Sequence, residues 1–549
     1  MRLAAILPPL TLVTLLLRAQ APASKPGSVE GTVVNSATGE PIKKASVRLE
    51  SQPGPGATAH PPLTALSDAS GRFHFDTVEP DLYVVTAQRD AYMNPQGRYG
   101  IPAPFRVAEE QHVSGIVVKL VPLGVLSGHV QDEDGDPIPR ASVAVLRYFY
   151  QSGRKQLGAT AWVQTNDLGE FEVLNLAPVR YYLQVAGPRL RNVPVHTRWV
   201  RPEEAYPITF YPNTRQISEA TPVDVAPGAH VTNLDFQLRK APAYHIRGSV
   251  AGRTGGQPET LDQLMVNTTG KSFGAIGAIY QAGLQPDGSF DIPGVASGWY
   301  DVSYTHARFG KGDTPYPAQS VHIADADVNG LVFVTGPEVE VSGTISVEGR
   351  RPDKLNIYVA LEPSKSTYAA GGMSAADGSF HIASAPMEIC HLDLRFPPEG
   401  YYVKSIRFGD REIKDGDIDL SNGAGAPLNI LLASDGGAID GNVQTADGQP
   451  SAGTEVTIAR SDEYAGRSDL LKRATTDAAG NFHIKDVAPG DYRVYAWEID
   501  LDQSPQSAEF RKLFDGKSAA VSVGPNGKAS VQLSLIGADD IARERSKLP

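Results

Sequence analysis

The stretch Ile439-Asp440-Gly441-Asn442-Val443 is one of five copies of an apolar-x-Gly-x-apolar pattern along the 549-residue chain. In a β-strand, its two apolar residues and its glycine would share one face, because side chains alternate with a period of two. A glycine on that buried face leaves room for a bulky side chain from the opposite sheet. The five copies are 97, 120, 95 and 98 residues apart, centred on Gly31, Gly128, Gly248, Gly343 and Gly441. This spacing predicts one immunoglobulin-sized β-sandwich per copy.

A second motif, a turn of the form Asp-(x)-Gly-x-Phe, opens the later half of each repeat, as in residues 477–482. An aliphatic or small residue stands five positions after the Phe, and a Tyr stands five further on in four repeats. We expect a β-hairpin whose Phe, aliphatic residue and Tyr all point inward. Cys390, the only cysteine, takes the Tyr position in the fourth repeat. We therefore expect a buried core thiol rather than a nucleophile.

The remaining pattern predicts an all-β chain, since strands alternate with turns and no segment keeps a helical period. We expect a signal peptide followed by a tandem array of about five Ig-like β-sandwich domains. The second domain carries a Pro-, Arg- and Tyr-rich insertion at about 187–221. The predicted boundaries are 27–122, 123–241, 242–337, 338–435 and 436–537, followed by a polar tail at 538–549.

The N-terminus has the features of a secretory signal peptide. Arg2 precedes an apolar stretch over residues 3–17, and small residues with A-x-A spacing follow. About fifteen apolar residues, interrupted by two prolines, fall short of the roughly 20 that a spanning helix needs. We expect a Sec-type signal peptide over residues 1–23, cleavage after Ala23, and a secreted or periplasmic mature chain without a membrane span.

Charge and composition narrow the possible partners. With 62 acidic and 50 basic residues, the net charge is −12, which argues against nucleic acid and against an anionic membrane surface. The chain is 41% hydrophobic and holds 54 glycines and 42 prolines, as expected for many short strands and turns. We predict no cofactor.

These motifs together resemble the carboxypeptidase regulatory-like domain. Residues 436–500 resemble it best, the first two repeats resemble it well, and the third and fourth do so in the opening strand and the Phe motif. The resemblance implies a transthyretin-like, seven-stranded sandwich, related to carbohydrate-binding-like modules. It implies an accessory, adhesive or carbohydrate-binding role without the peptidase catalytic domain, because no His is followed by Glu at His-x-x-Glu spacing.

Two motifs suggest chemistry. Gly270-Lys271-Ser272-Phe273-Gly274 matches Gly-x-Ser-x-Gly, but the strand before it and the helix after it that a nucleophile elbow needs are missing from the pattern. We therefore predict no enzyme, and keep a hydrolase as a remote alternative. Asp132, Asp134 and Asp136 form an acidic turn, which could be either a solvated turn or a Ca²⁺ loop. The histidines next to the inward Phe residues, His74, His381 and His483, should point outward.

Aromatic residues of the second repeat are the candidate ligand site. Tyr148, Tyr150 and Trp162 lie in strand-like segments, and Tyr211 lies in the insertion. If their rings are exposed together, they would form a carbohydrate-binding patch. Alternatively, the insertion and the strand cover each other. A second group, Tyr401 and Tyr402 with residues 492–497, is predicted to form core and domain junction.

The function predicted from the sequence is an exported, non-enzymatic binding or adhesion scaffold. Its β-sandwiches would be presented to a polysaccharide, a cell-envelope protein or another protein partner. The alternative is a dedicated carbohydrate-binding protein that uses the aromatics of the second domain.

Overall fold

A computed structural model describes residues 25–52, 59–94, 105–151, 154–188, 204–251, 260–268, 280–308, 312–315, 318–334, 339–364, 369–498 and 504–545. The predicted signal peptide and the Ser272 motif lie outside these residues. The described chain is nearly all β-structure, as predicted, and its strands pair into many separate sheets. The number of domains and their boundaries stay predictions.

The strands of the first two repeats are β1 (Gly27–Asn35), β2 (Ser46–Ser51), β3 (Leu63–Leu66), β4 (Arg72–Val78), β5 (Asp81–Gln88), β6 (Tyr92–Met93), β7 (Phe105–Val107), β8 (His112–Pro122), β9 (Gly124–Gln131), β10 (Ser142–Gln151), β11 (Arg154–Gln164), β12 (Glu170–Leu176), β13 (Arg180–Ala186), β14 (Glu204–Ala205), β15 (Thr209–Phe210), β16 (Val223–Asp224), β17 (His230–Val231) and β18 (Phe236–Gln237).

The strands of the third and fourth repeats are β19 (Ala241–Ala251), β20 (Thr260–Thr268), β21 (Tyr280–Ala282), β22 (Ser289–Ala296), β23 (Gly298–Arg308), β24 (Gly312–Pro315), β25 (Gln319–Ile323), β26 (Val328–Val334), β27 (Val339–Glu348), β28 (Tyr358–Pro363), β29 (Ala370–Met373), β30 (Ser379–Ala385), β31 (Ile389–Arg395), β32 (Tyr402–Phe408), β33 (Arg411–Glu412), β34 (Asp417–Asp419) and β35 (Leu428–Ala433).

The fifth repeat contains β36 (Gly437–Gln444), β37 (Glu455–Arg460), β38 (Lys472–Thr475), β39 (Asn481–Val487), β40 (Gly490–Trp497), β41 (Ala519–Val523) and β42 (Lys528–Ser534). Helix α1 is Ala508–Lys512, and helix α2 is Ala538–Arg545. Single 3-10 turns cover Ile217–Glu219, Ser468–Leu470, Ser504–Gln506 and Asp515–Lys517.

Two sheets face each other in the fifth repeat, and their strand order explains the sequence motifs. The smaller sheet has the order β39-β36-β42, and the larger sheet has the order β38-β37-β40-β41. The opening strand β36 pairs antiparallel with β39 and parallel with the last strand β42. The same arrangement recurs in the fourth repeat as β30-β27-β35 and β29-β28-β31-β34. The core lies between the two sheets.

The predicted hairpin of the Phe motif is wrong. β39, which carries Phe482, pairs with β36, whereas β40, which carries Tyr492, pairs with β37 and β41 in the other sheet. The chain crosses from one sheet to the other between them. Both side chains are nevertheless buried in the same core, because each points inward from its own sheet.

The repeated glycine lies under the Phe of the neighbouring strand, and not under a side chain of the opposite sheet as the sequence suggested. Gly441 pairs with Phe482 in register. A Cβ added to Gly441 would lie 2.4 Å from Cζ of Phe482 and 2.5 Å from the carbonyl oxygen of Val531 in β42. Gly343 has the same relation to Phe380, with a Cβ at 2.3 Å from Cζ. The pattern therefore requires glycine because a ring and a parallel strand both approach its backbone.

The aspartates of the second motif hold its turn together. The Asp477 carboxylate accepts hydrogen bonds from the backbone N–H groups of Ala479 and Asn481, at 2.9 and 2.8 Å. These bonds lower the pKa of Asp477, the bond from Asn481 most strongly. Gly480 follows with a φ of +76°, a conformation that favours glycine. In the second repeat the capping residue is Asn166 rather than the predicted Asp167.

A buried hydroxyl next to this turn was not predicted from the sequence. The Oγ1 of Thr476 accepts a hydrogen bond from the N–H of Thr454 at 2.9 Å and donates one to the carbonyl of Ser451 at 2.6 Å. We call this arrangement the hydroxyl clip. It ties the loop before β37 to the end of β38. The equivalent clips are made by Ser67, Thr165 and Ser374.

Cys390 is a buried core thiol, as predicted. It is 0% exposed and belongs to the hydrophobic cluster of the fourth repeat. Its Sγ lies 3.8 Å from the carbonyl oxygen of Pro386, four residues earlier. The Tyr492 hydroxyl makes the same link, to the carbonyl of Ala488 at 2.7 Å. The thiol therefore replaces the Tyr in position and in its contact with the backbone.

The fourth and fifth repeats are joined by a mostly half-buried loop over residues 462–470, in which Arg467 and Leu470 are buried. Arg467 is buried, and its guanidinium binds the Asp469 carboxylate through two bonds of 2.7 and 2.5 Å. It also donates to the carbonyl of Val403 in β32, at 3.3 Å. Gly466 lies against the backbone of Asp415, since a Cβ there would be 2.8 Å from its carbonyl oxygen. We call this contact the 4–5 joint.

Three further bonds cross the 4–5 joint. Nε2 of the buried His391 lies 3.3 Å from Oγ of Ser468, and its Nδ1 lies 2.9 Å from Asp417. Lys414 and Glu463 form an ion pair at 2.8 Å, and the Tyr464 hydroxyl donates to Glu412 at 3.1 Å. Nearby, Tyr402 packs with Leu470 and Ala488 in a small hydrophobic cluster. This confirms the predicted junction role of Tyr402.

The insertion and the C-terminal residues connect the repeats further. Strand β14 of the insertion pairs with β19, the opening strand of the third repeat, and β15 pairs with β13 of the second. Phe210 of the insertion belongs to the same hydrophobic cluster as Ile246 of the third repeat. The predicted polar tail begins instead as helix α2, which buries Ile541.

Candidate functional site

The structure does not bring the four predicted aromatic residues together. The sequence left open whether the Tyr150 ring is exposed or covered, and in the structure it is buried. Its ring lies 5.6 Å from that of Phe510 in α1 and joins the cluster around Trp497. β10 reaches helix α1, which covers the ring. Tyr211 is half-buried against the core of the second repeat, with its ring 5.8 Å from Phe236.

Tyr148 and Trp162 remain accessible, at 37% and 41% exposure. The Tyr148 ring meets Tyr182 edge-on at 5.7 Å, and the Lys155 ammonium lies 4.2 Å above it. Burial raises the pKa of Tyr148 and lowers the pKa of Lys155. Trp162 lies opposite Ala144, four residues from Tyr148 along β10, which is about 14 Å. The two rings are therefore separate exposed positions rather than one patch.

The acidic turn of the second repeat is a backbone turn in the structure. Oδ1 of Asp132 accepts hydrogen bonds from the N–H groups of Asp134 and Asp136, at 3.0 and 2.9 Å. Across the described residues, no group of three or more His, Cys, Asp or Glu side chains is arranged to hold a metal ion. The structure shows an Asx-type turn closed by Oδ1 of Asp132, and the Ca²⁺ loop stays a prediction.

The histidines beside the inward Phe residues face solvent, as predicted, and each pairs with a carboxylate. His74 lies 2.7 Å from Asp76, and His483 lies 2.6 Å from Asp440 on the neighbouring strand. His381 lies 3.4 Å from Glu340. These are cross-strand or same-strand surface pairs within single repeats.

A more exposed tryptophan, Trp299 in β23, was missed in the sequence. Its side chain is 60% exposed, more than that of Trp162. The imidazole of His322 in β25 stacks on the indole at 4.3 Å with an interplanar angle of 17°. The pair lies on the outer face of the larger sheet of the third repeat, because the adjacent Tyr300 and Val321 point into the core.

Polar groups lie directly beside this aromatic pair. Asp301 and Ser320 are the next cross-strand pair on the same face, and the Ser320 hydroxyl donates to the Asp301 carboxylate at 2.6 Å. The sequence did contain a signal for Trp299. Once Tyr300 is assigned to the core, the period of two places Trp299 on the outside. Tyr150 lacked such a signal, since its cover comes from a helix about 360 residues away in sequence.

A protein-family model matches two parts of the chain. The model of the carboxypeptidase regulatory-like domain matches residues 28–103 and residues 438–535. Together the two matched segments make up 174 of the 549 residues, 76 in the first and 98 in the second. The sequence resemblance is thereby confirmed for the first and fifth repeats. The regulatory-like domain at 438–535 contains both sheets of the fifth repeat and its hydroxyl clip.

Comparison with curated proteins finds no match. Among solved structures, the chain is similar to the Bacillus anthracis TIE protein, at 9% identity and a TM-score of 0.17, with 94% of this chain and 75% of that one covered. It is similar to GBS52, the minor pilin of Streptococcus agalactiae, at 12% identity and a TM-score of 0.22, with 42% of this chain and 100% of that one covered. It is also similar to BcpA, the major pilin subunit of Bacillus cereus, at 10% identity and a TM-score of 0.17, with 56% of this chain and 99% of that one covered. No functional conclusion follows at these TM-scores.

Within the described part of the chain, the helices are all too short or too polar to cross a membrane.

Proposed function

We propose that the chain is an exported, non-enzymatic binding or adhesion scaffold. Its β-sandwich faces are presented to a polysaccharide, a cell-envelope component or a protein partner. The single observation that carries this proposal is the 4–5 joint, in which a loop of the fifth repeat packs against the fourth repeat. The Arg467–Asp469 pair orders the loop from within, and the Arg467 guanidinium donates across the joint to the carbonyl of Val403, which fixes the orientation of the fifth repeat relative to the fourth.

Fixed orientation matters for binding at several points. When two faces are held at one distance, binding by the first raises the effective concentration of the second. A freely jointed array would lose part of this gain to ordering entropy. The signal-peptide pattern of residues 1–23 supports export, and the net charge of −12 suits neutral or basic partners better than acidic ones.

Co-sedimentation of the mature chain with insoluble cell-envelope material and with insoluble polysaccharides tests the proposal. The wedge variant Gly466→Val should loosen the 4–5 joint, because its side chain would meet the Asp415 backbone. Gly516→Ala is the matched control, since a Cβ there meets nothing within 4 Å. We expect the wild-type chain and the control to sediment and the wedge variant to be retained several-fold less.

The proposal is wrong if the wild-type chain is retained on none of these materials. Retention that is equal in the wedge variant and the control would show that the fixed joint plays no part in binding.

A dedicated carbohydrate-binding protein is the second candidate function. The observation that favours this function is the exposed Trp299 with its adjacent polar pair. The four aromatic residues predicted from the sequence do not favour it, because the structure does not bring them together.

A further inference from the structure

The outer face of the third repeat presents an exposed indole ring with an imidazole stacked on one of its faces, and both rings are held by their own strands. We call Trp299 and His322, with their stacked rings, the Trp299 platform. In an antiparallel pair, residues directly opposite each other have side chains close enough to stack. Trp299 and His322 are such a pair, which accounts for the 4.3 Å separation and the small angle of 17°.

The strands beneath the platform are anchored in the core. Tyr300 and Val302 alternate with Trp299 along β23, and Val321 and Ile323 flank His322 in β25. All four are buried. The Tyr300 hydroxyl also donates to the carbonyl of Ala296 at 2.9 Å. The platform is therefore ordered before any ligand arrives, which lowers the entropic cost of binding.

The polar pair beside the platform defines what it suits. Asp301 and Ser320 are two residues further along their strands, so they lie about 7 Å from the platform. A ligand on the indole would have a carboxylate and a hydroxyl at its edge. Carboxylate oxygens accept hydrogen bonds only, and the Ser320 hydroxyl, whose proton is donated to Asp301, can accept one from the ligand.

A pyranose ring matches this arrangement. One face of the ring is a set of C–H groups that pack on an aromatic ring, and its rim carries hydroxyl groups that donate and accept hydrogen bonds. The Asp301 carboxylate would accept from such hydroxyls and would repel an acidic sugar.

We infer that the Trp299 platform, with Asp301 and Ser320, binds a neutral hexopyranose unit of a polysaccharide. The indole of Trp299 stacks on the sugar ring, and Asp301 and Ser320 hydrogen-bond to its hydroxyls. This inference rests on the proposed function and deepens it, since it names the ligand of one presented face.

Titration of the full mature chain with four neutral hexaoses tests the inference: cellohexaose, laminarihexaose, maltohexaose and chitohexaose. Intrinsic tryptophan fluorescence and calorimetry report binding. We expect saturable binding of at least one hexaose, weakened about tenfold or more by Trp299→Ala. Trp299→Phe keeps a ring and should bind with intermediate affinity. Trp162→Ala is the matched control, because it removes an exposed tryptophan of another repeat.

The variants should fold normally, because the replaced side chain is mostly exposed. Far-UV circular dichroism and thermal unfolding check this. Binding of no hexaose by the wild-type chain would contradict the inference, as would equal affinity in Trp299→Ala.

Co-sedimentation separates this inference from the proposed function. A chain that is retained on envelope material equally with and without Trp299, but binds no hexaose, refutes the platform and leaves the scaffold. If Trp299→Ala reduces retention on an envelope protein fraction without any hexaose binding, the face docks a protein and the sugar assignment is wrong. A chain that binds a hexaose but is retained on no insoluble material keeps the platform and refutes the scaffold.

Discussion

Replacing Thr476 by valine should destabilise the fifth repeat, because it removes the hydroxyl clip while keeping the shape of the side chain. Thr476 is 0% exposed, and its hydroxyl satisfies the N–H of Thr454 and the carbonyl of Ser451. Leaving a buried polar group without a partner costs about 1–3 kcal/mol. With two such groups, and some relaxation, the expected loss is about 3 kcal/mol.

Hydrogen exchange of the full chain, followed by mass spectrometry, measures this loss locally. The amides of β37 keep their own hydrogen bonds in the variant, so they exchange when the fifth repeat opens. A loss of about 3 kcal/mol corresponds to roughly 100-fold faster exchange. The amides of the other repeats serve as internal references and should change little.

Two variants serve as matched controls. Thr476→Ser keeps the hydroxyl, so the exchange rate of the β37 amides should differ from that of the wild-type chain by less than about tenfold. Thr475→Val makes the same chemical change at the adjacent, exposed position and should have an effect within about 0.5 kcal/mol. The reasoning is refuted if Thr476→Val exchanges at the rate of Thr475→Val.

Three further predictions concern the motifs of the repeats. Gly441→Ala should destabilise the fifth repeat by about 1–3 kcal/mol, because the added Cβ would overlap the Phe482 ring. The β36 amides should exchange much faster in Gly441→Ala than in the Gly516→Ala control. Equal exchange rates in the two variants would contradict the close contact. The Cys390 thiol should not react with a thiol reagent in the native chain and should react fully in denaturant, so a fast native reaction would show an accessible thiol. Burial raises the pKa of Tyr492 to about 12. Because the unfolded phenol ionises near pH 10, Tyr492 should cost the fifth repeat about 3 kcal/mol of stability as the pH rises from 10 to 12. Burial also raises the pKa of Tyr495 in the same strand. Alkaline unfolding followed by circular dichroism should therefore show a loss that Tyr492→Phe reduces by the share of Tyr492, and an unchanged loss in Tyr492→Phe would contradict this.

The sequence predicted which face each repeated residue occupies, because alternation along a strand is a local property. Gly441, Phe482 and Tyr492 are inward-facing as expected. Alternation does not say which sheet a strand joins, so the chain crossing between β39 and β40 was misread as a hairpin. The partners of Gly441 were misassigned for the same reason.

The contacts made by loop residues could not be predicted from the pattern of the sequence. Thr476 follows a strand and resembles any surface turn residue, since its two partners come from a loop about 25 residues earlier. Arg467 and Asp469 resemble a solvated charged loop, yet they are buried by the neighbouring repeat. Trp299 could have been placed outside from Tyr300, whereas the cover of Tyr150 by Phe510 depends on packing between distant segments.

The rigid joint between the fourth and fifth repeats is the claim on which the scaffold account depends. Pulsed electron–electron double resonance between spin labels at Met373→Cys and Lys528→Cys tests it most directly. Both positions are exposed, one lies in each repeat, and the native Cys390 is buried and would not be labelled. The account predicts a single distance whose width is set by the labels alone. A broad distribution, or two separate distances, would show that the two repeats move independently and would contradict it.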